Sequence, residues 1–79
     1  MEEIQQKLSA KIAELCGVGA ASITTETNLE QDLGMKSATL VVLIAYLEDE
    51  FDLDIDFMKF RRMKTVGQAA QFIADLCDA

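Results

Sequence analysis

The chain has 79 residues, with 14 acids against 7 bases for a net charge of −7, no histidine and about half its residues hydrophobic. That length makes one domain, 1–79, with a single modest core and no room for a deep active site as well. The hydrophobic share argues against disorder, the acidity disfavours nucleic acid and anionic membrane surfaces as partners, and the missing histidine removes Ser-His-Asp and Cys-His nucleophiles.

In "EEIQQKLSAKIAELCG", Ile4, Leu8, Ile12 and Leu15 share one helical face, and Gly17 follows as a stop, so a first helix is expected over 2–16. The acidic N-terminus "MEEIQQKL" lacks the basic start and apolar stretch of a signal peptide. The longest apolar run, "ATLVVLIAYL", is about half the ~20 residues of a membrane span. A soluble, cytoplasmic protein is therefore expected, with Cys16 and Cys77 as reduced, buried thiols. Residues 17–36 show no sustained period and read as a loop, long enough to suggest a function. Val18, Ile23, Leu29 and Leu33 are the apolar residues expected to pin it to the core.

Ser37 opens the next helix, and serine is a favoured N-cap. Leu40, Leu43, Ile44, Leu47 and Phe51 fall on one face of that helix. Ala38, Val41, Val42, Ala45 and Asp49 fall on the other, so the helix is apolar nearly all round in its first half. "EDEFDLDID" reads as an acidic turn, "FMKFRRMK" (57–64) as a short helix, and "TVGQAAQFIADLCDA" as the last long one. Thr65 and Gln68 form a T-x-x-Q capping box there. Gly67 in the first turn weakens that helix by up to ~1 kcal/mol. No segment alternates with the period of a strand, so the expected class is all-α, a small four-helix bundle with three long helices and one short. The expected core is Ile4, Leu8, Ile12, Leu15, Leu33, Leu40, Leu43, Leu47, Phe51, Val66, Ala70, Ile73 and Leu76.

Metal chemistry finds little support. Two distant cysteines without histidine disfavour structural zinc. "DLDIDF" begins like an EF-hand loop at Asp52, but Phe57 and Met63 stand where glycine and the bidentate glutamate are required. No phosphate-binding glycine motif occurs.

What remains is a serine at a helix start, behind Gly34, in a chain without catalytic groups. A plain N-cap is one reading of it. "DLGMKSATLVVLIAYLEDEFDLDI" followed by "TVGQAAQFI" resembles the acyl carrier proteins and their peptidyl-carrier relatives over about residues 1–78. The Asp32-Leu33-Gly34 triplet and the spacing from Ser37 to Glu48-Asp49-Glu50-Phe51 are its most specific parts. The resemblance implies a non-enzymatic carrier, with 4′-phosphopantetheine attached to Ser37 by a phosphopantetheinyl transferase and acyl or aminoacyl groups held as thioesters. Acyl-loading and acyl-processing enzymes would be its partners, and a monomer is expected. The chain's own Met1 suggests a discrete carrier shuttling between separate enzymes.

The chain departs from the family pattern at several positions. Lys36 replaces the usual aspartate before the serine, and Ala38 replaces the usual leucine after it. Thr39 and Val42 occupy positions that are often acidic, Lys59, Arg61, Arg62 and Lys64 stand in a region that is usually acidic, and Asp56 replaces a common proline. The expected partner-docking residues are Lys36, Ala38, Val41, Val42, Ala45, Glu48 and Asp49. The rival expectation is an unmodified adaptor that docks through the apolar face of the second helix.

Overall fold

Among the described residues four α-helices carry the fold: α1 (Glu2–Cys16), α2 (Ser37–Phe51), α3 (Phe57–Arg61) and α4 (Val66–Asp78), with one 3-10 turn at Ala20–Ser22. The structure is a computed structural model and describes residues 2–78. Among the described residues there is no strand, and the class is the all-α bundle expected. α1 packs against both α2 and α4, and α3 packs against α2.

The helical periods translate directly into burial. Leu8 and Ile12 of α1, Leu43 and Leu47 of α2, and Val66, Ala70 and Ile73 of α4 are fully enclosed in one cluster. Burying a side chain of Val, Leu or Ile size contributes ~1.5–3 kcal/mol, so these stripes hold the bundle together. Four expected core residues, Leu15, Leu33, Phe51 and Leu76, are only half-buried against the cluster. Leu15, Phe51 and Leu76 sit in the last turns of their helices, at the rim of the bundle, and Leu33 lies in the loop before α2.

Other departures have physical causes. Phe60, absent from the expected core, is the largest fully buried side chain and meets Phe72 edge-on, centroids 5.8 Å apart. It anchors α3, which ends at Arg61 rather than running to 64, because Arg62 and Met63 N–H turn back to Lys59 and Phe60 carbonyls. Val18 is exposed and does not pin the loop, whereas Ile23 and Leu29 are buried. Neither cysteine is buried as expected: Cys16 is half-buried, Cys77 is exposed, and both are free thiols.

The acidic turn is built from local hydrogen bonds. Asp52 ends α2 in the left-handed region (φ 54°), its N–H donating to Glu48 O. The Glu48 carboxylate accepts from Ile55 N–H at 2.9 Å, and Asp56 caps α3 by accepting from Lys59 N–H.

The long loop is tied to the α3–α4 junction. Leu29 N–H donates to Lys64 O (2.9 Å), Val66 N–H to Thr27 O (3.0 Å) and Gly67 N–H to Thr25 O (2.9 Å). Asn28 and Thr65 form an isolated antiparallel bridge. Gly67 therefore has a structural reason: a Cβ there would stand 2.9 Å from Thr25 O. The capping box forms with a shift, since Thr65 Oγ1 accepts from Gln68 N–H while Gln68 Oε1 reaches past Thr65 to accept from Lys64 N–H.

Candidate functional site

The loop that delivers Ser37 is wired by two side chains. Asn28 Oδ1 accepts from Glu30 N–H and Gln31 N–H, and Asp32 Oδ2 accepts from Asn28 N–H at 2.8 Å. Gly34 then turns with φ +62°, a conformation that costs glycine little and other residues more. Met35 N–H closes the turn on Leu29 O at 3.0 Å. The Asp32-Leu33-Gly34 triplet is thus a latch and a hinge that fix the entry to α2.

Ser37 is exposed and is the first residue inside α2, not its cap. Lys36 holds the cap position in an extended conformation (φ −98°, ψ 168°) and offers no side-chain acceptor. The first backbone donor of α2 with a helical partner is Leu40 N–H, on Lys36 O at 2.9 Å. Ser37, Ala38 and Thr39 N–H precede it at an uncapped end. In contrast, α3 and α4 are capped by Asp56 and Thr65. Among the described residues no hydrogen bond engages Ser37 Oγ. The hydroxyl is therefore accessible, uncommitted and set on an end that favours an anion by ~0.3–1 kcal/mol. These features suit a phosphate ester on Ser37.

The other residues singled out by sequence divide by environment. Ala38, Val41, Val42 and Ala45 are exposed along one side of α2, Val41 by 53% and Val42 by 48%. Lys36 and Asp49 are exposed as well. Glu48 is half-buried and engaged by Ile55 N–H, so its carboxylate is part of the turn after α2. Glu50 pairs with Lys7 at 2.6 Å, and that contact raises the Lys7 pKa. Sequence reasoning did not associate the 61–64 segment with Ser37. A cleft of about 790 Å³ is lined by Ser37 and Lys36 together with Arg61, Arg62 and Lys64. The unusual bases of "FRRMK" were visible in the sequence, but their place beside Ser37 depends on the backbone bonds between the loop and Lys64–Gly67.

Residues 6–73 match the family model described as "Phosphopantetheine attachment site". The chain is 36% identical over 75 residues to an acyl carrier protein of Saccharopolyspora erythraea, covering 95% of this chain and 79% of that one. It is 38% identical over 73 residues to an acyl carrier protein of Amoebophilus asiaticus, covering 92% and 91%. A solved structure of the acyl carrier protein from Enterococcus faecalis has the same fold, with a TM-score of 0.81, 29% identity and 95% of each chain covered. The chain belongs to the acyl carrier protein family, whose members carry acyl groups on a 4′-phosphopantetheine prosthetic group.

Proposed function

We propose that Ser37 is the attachment residue and that the chain is a carrier without catalysis of its own, serving separate enzymes in the cytoplasm. The observation that carries this reading is the exposed Ser37 hydroxyl, unengaged at the uncapped start of α2. Its oxygen displaces 3′,5′-adenosine bisphosphate from coenzyme A. One P–O bond to the bisphosphate breaks, one P–O bond to Ser37 forms, and the hydroxyl proton goes to a base on the transferase. Once attached, the arm supplies a terminal thiol for acyl thioesters. The chain's part is to hold the ester at a fixed, open position, through the Asn28–Asp32 latch and the Gly34 turn.

Ala38, Val41, Val42 and Ala45 form the apolar part of the docking surface, with Lys36 and Asp49 as exposed charges near its two ends. Glu48 contributes through the shape of the α2 end, because its carboxylate is engaged. Fatty-acid, polyketide and related synthases supply the loading and processing enzymes, and the carrier works as a monomer. The unmodified adaptor is the weaker reading, since the family match is to a phosphopantetheine attachment site.

The test is incubation with coenzyme A and a broad-specificity phosphopantetheinyl transferase. Intact mass is expected to rise by one arm, and Ser37→Ala to abolish the gain. An unchanged wild-type mass with several transferases would refute the assignment.

A further inference from the structure

The seven bases of this chain fall into two groups. Lys7 and Lys11 are matched with acids: Lys7 with Glu50 at 2.6 Å and Glu3 at 3.4 Å, Lys11 with Glu14 at 3.5 Å. Lys36, Lys59, Arg61, Arg62 and Lys64 form no ion pair among the described residues. Four of these five line the cleft beside Ser37, where Glu30 is the single acid among the described lining residues. Acids outnumber bases two to one in this chain, so a random scatter would give most cations an acid neighbour. Here four like charges are gathered around one opening, and an anion would relieve their mutual repulsion.

The cleft is also held in shape. Its volume of about 790 Å³ is within the roughly 300–1,000 Å³ range of small-molecule sites. Leu29 N–H donates to Lys64 O and Met35 N–H to Leu29 O, so the basic segment and the Ser37 loop are joined through one residue. Two guanidinium groups in sequence add planar, bidentate donors suited to phosphate or carboxylate.

Taking Ser37 as the attachment residue, we propose that this cleft is an anion site that binds phosphate or carboxylate oxygens tethered to the arm. Two sources supply that chemistry. One is the phosphodiester at Ser37, and the other is a carboxylate at the far end of a carried acyl group. In the second case the carrier favours carboxyacyl cargo over neutral chains.

The test uses four forms of the whole chain, each verified by intact mass: apo, holo, butyryl-loaded and succinyl-loaded. Amide and arginine Nε–H resonances of residues 61–64 are followed by ¹H–¹⁵N NMR. A shift from apo to holo that cargo leaves unaltered assigns the site to the phosphodiester. A shift with succinyl and not with butyryl assigns it to the cargo carboxylate. In either case it is expected to fall several-fold in the double variant Arg61→Gln with Arg62→Gln. It is also expected to fade as salt shortens the Debye length from ~30 Å to ~3 Å. Both arginines are exposed, and circular dichroism checks that the double variant keeps its helices. The proposal is overturned by no shift in any form, by equal butyryl and succinyl shifts absent from holo, or by a shift that survives in the folded double variant. A mass that never rises removes the Ser37 assignment itself, and that outcome is distinct from the silent spectra of a modified protein.

Discussion

Gly67→Ala sets two rules against each other. Helix propensity favours alanine in the first turn of α4 by up to ~1 kcal/mol. The tertiary contact opposes it, because the new Cβ would lie 2.9 Å from Thr25 O and 3.1 Å from Thr25 Cβ. The first neighbour is backbone and cannot swing aside as a side-chain tip would. Thr25 must move, and Gly67 N–H loses its acceptor there. Losing one backbone hydrogen bond costs about 0.5–1.5 kcal/mol, and overpacking costs about 1–3 kcal/mol. Set against the propensity gain, the net expectation is a loss of about 0.5–4.5 kcal/mol. In a domain of this size each kcal/mol shifts Tm by about 4–8 °C, so far-UV circular dichroism should record a fall of at least ~2 °C. Gly19→Ala is the control: its φ is −74°, and the nearest heavy atom to a new Cβ is Ser22 Oγ at 3.8 Å. That variant should melt with wild type. A Gly67→Ala protein that melts at or above the wild-type temperature would show that the loop yields without cost and that propensity decides.

Three further outcomes are expected. Val41→Asp, at a position 53% exposed, should change stability by no more than ~0.5 kcal/mol while slowing the transferase; a large fall in Tm would mean that Val41 supports the core. Lys36→Asp should raise the rate of modification by a housekeeping holo-carrier synthase that expects aspartate there, with the gain shrinking as salt increases; equal rates at low salt would refute charge-tuned recognition. Exposed Cys77 should alkylate before half-buried Cys16, whose thiol pKa is pushed up by burial and which therefore holds less thiolate; a Cys16–Cys77 disulfide in native protein, or Cys16 reacting first, would contradict this arrangement.

The parts of the fold that follow from short-range pattern were legible in the sequence. The period of Ile4, Leu8 and Ile12 marks α1, and the two faces of α2 separate into buried Leu43 and Leu47 and exposed Val41 and Val42. Ser37 stood out for its position, yet its role as a cap did not survive, because Lys36 arrives extended and leaves Ser37 inside the first turn. What local pattern cannot carry is a meeting of distant segments. Nothing around Thr25 signals that its carbonyl will receive Gly67 N–H, and a glycine in a helix is the only trace of that contact. Phe60 was obscured for a related reason: "FMKFRRMK" looks like a surface segment by charge, although spacing puts Phe57 and Phe60 on one side of a single helical turn.

The charge pattern along α2 runs against its own dipole, and this links the fold to the proposed function. Negative charge is favoured at a helix start and positive charge at its end, by ~0.3–1 kcal/mol each. α2 has Lys36 at its start, no acid in its first turn and no base in its last. It ends instead in Glu48, Asp49 and Glu50. At the far end the acids have structural uses that offset the cost, since Glu48 holds Ile55 N–H and Glu50 pairs with Lys7. At the near end no such use offsets Lys36, which forms no ion pair among the described residues. A phosphodiester on Ser37 would supply the missing negative charge where both the helix and the neighbouring cations favour it. On the proposed assignment of Ser37, Lys36, Arg61, Arg62 and Lys64 are half of an interaction that modification would complete, rather than a surface tuned for the unmodified chain.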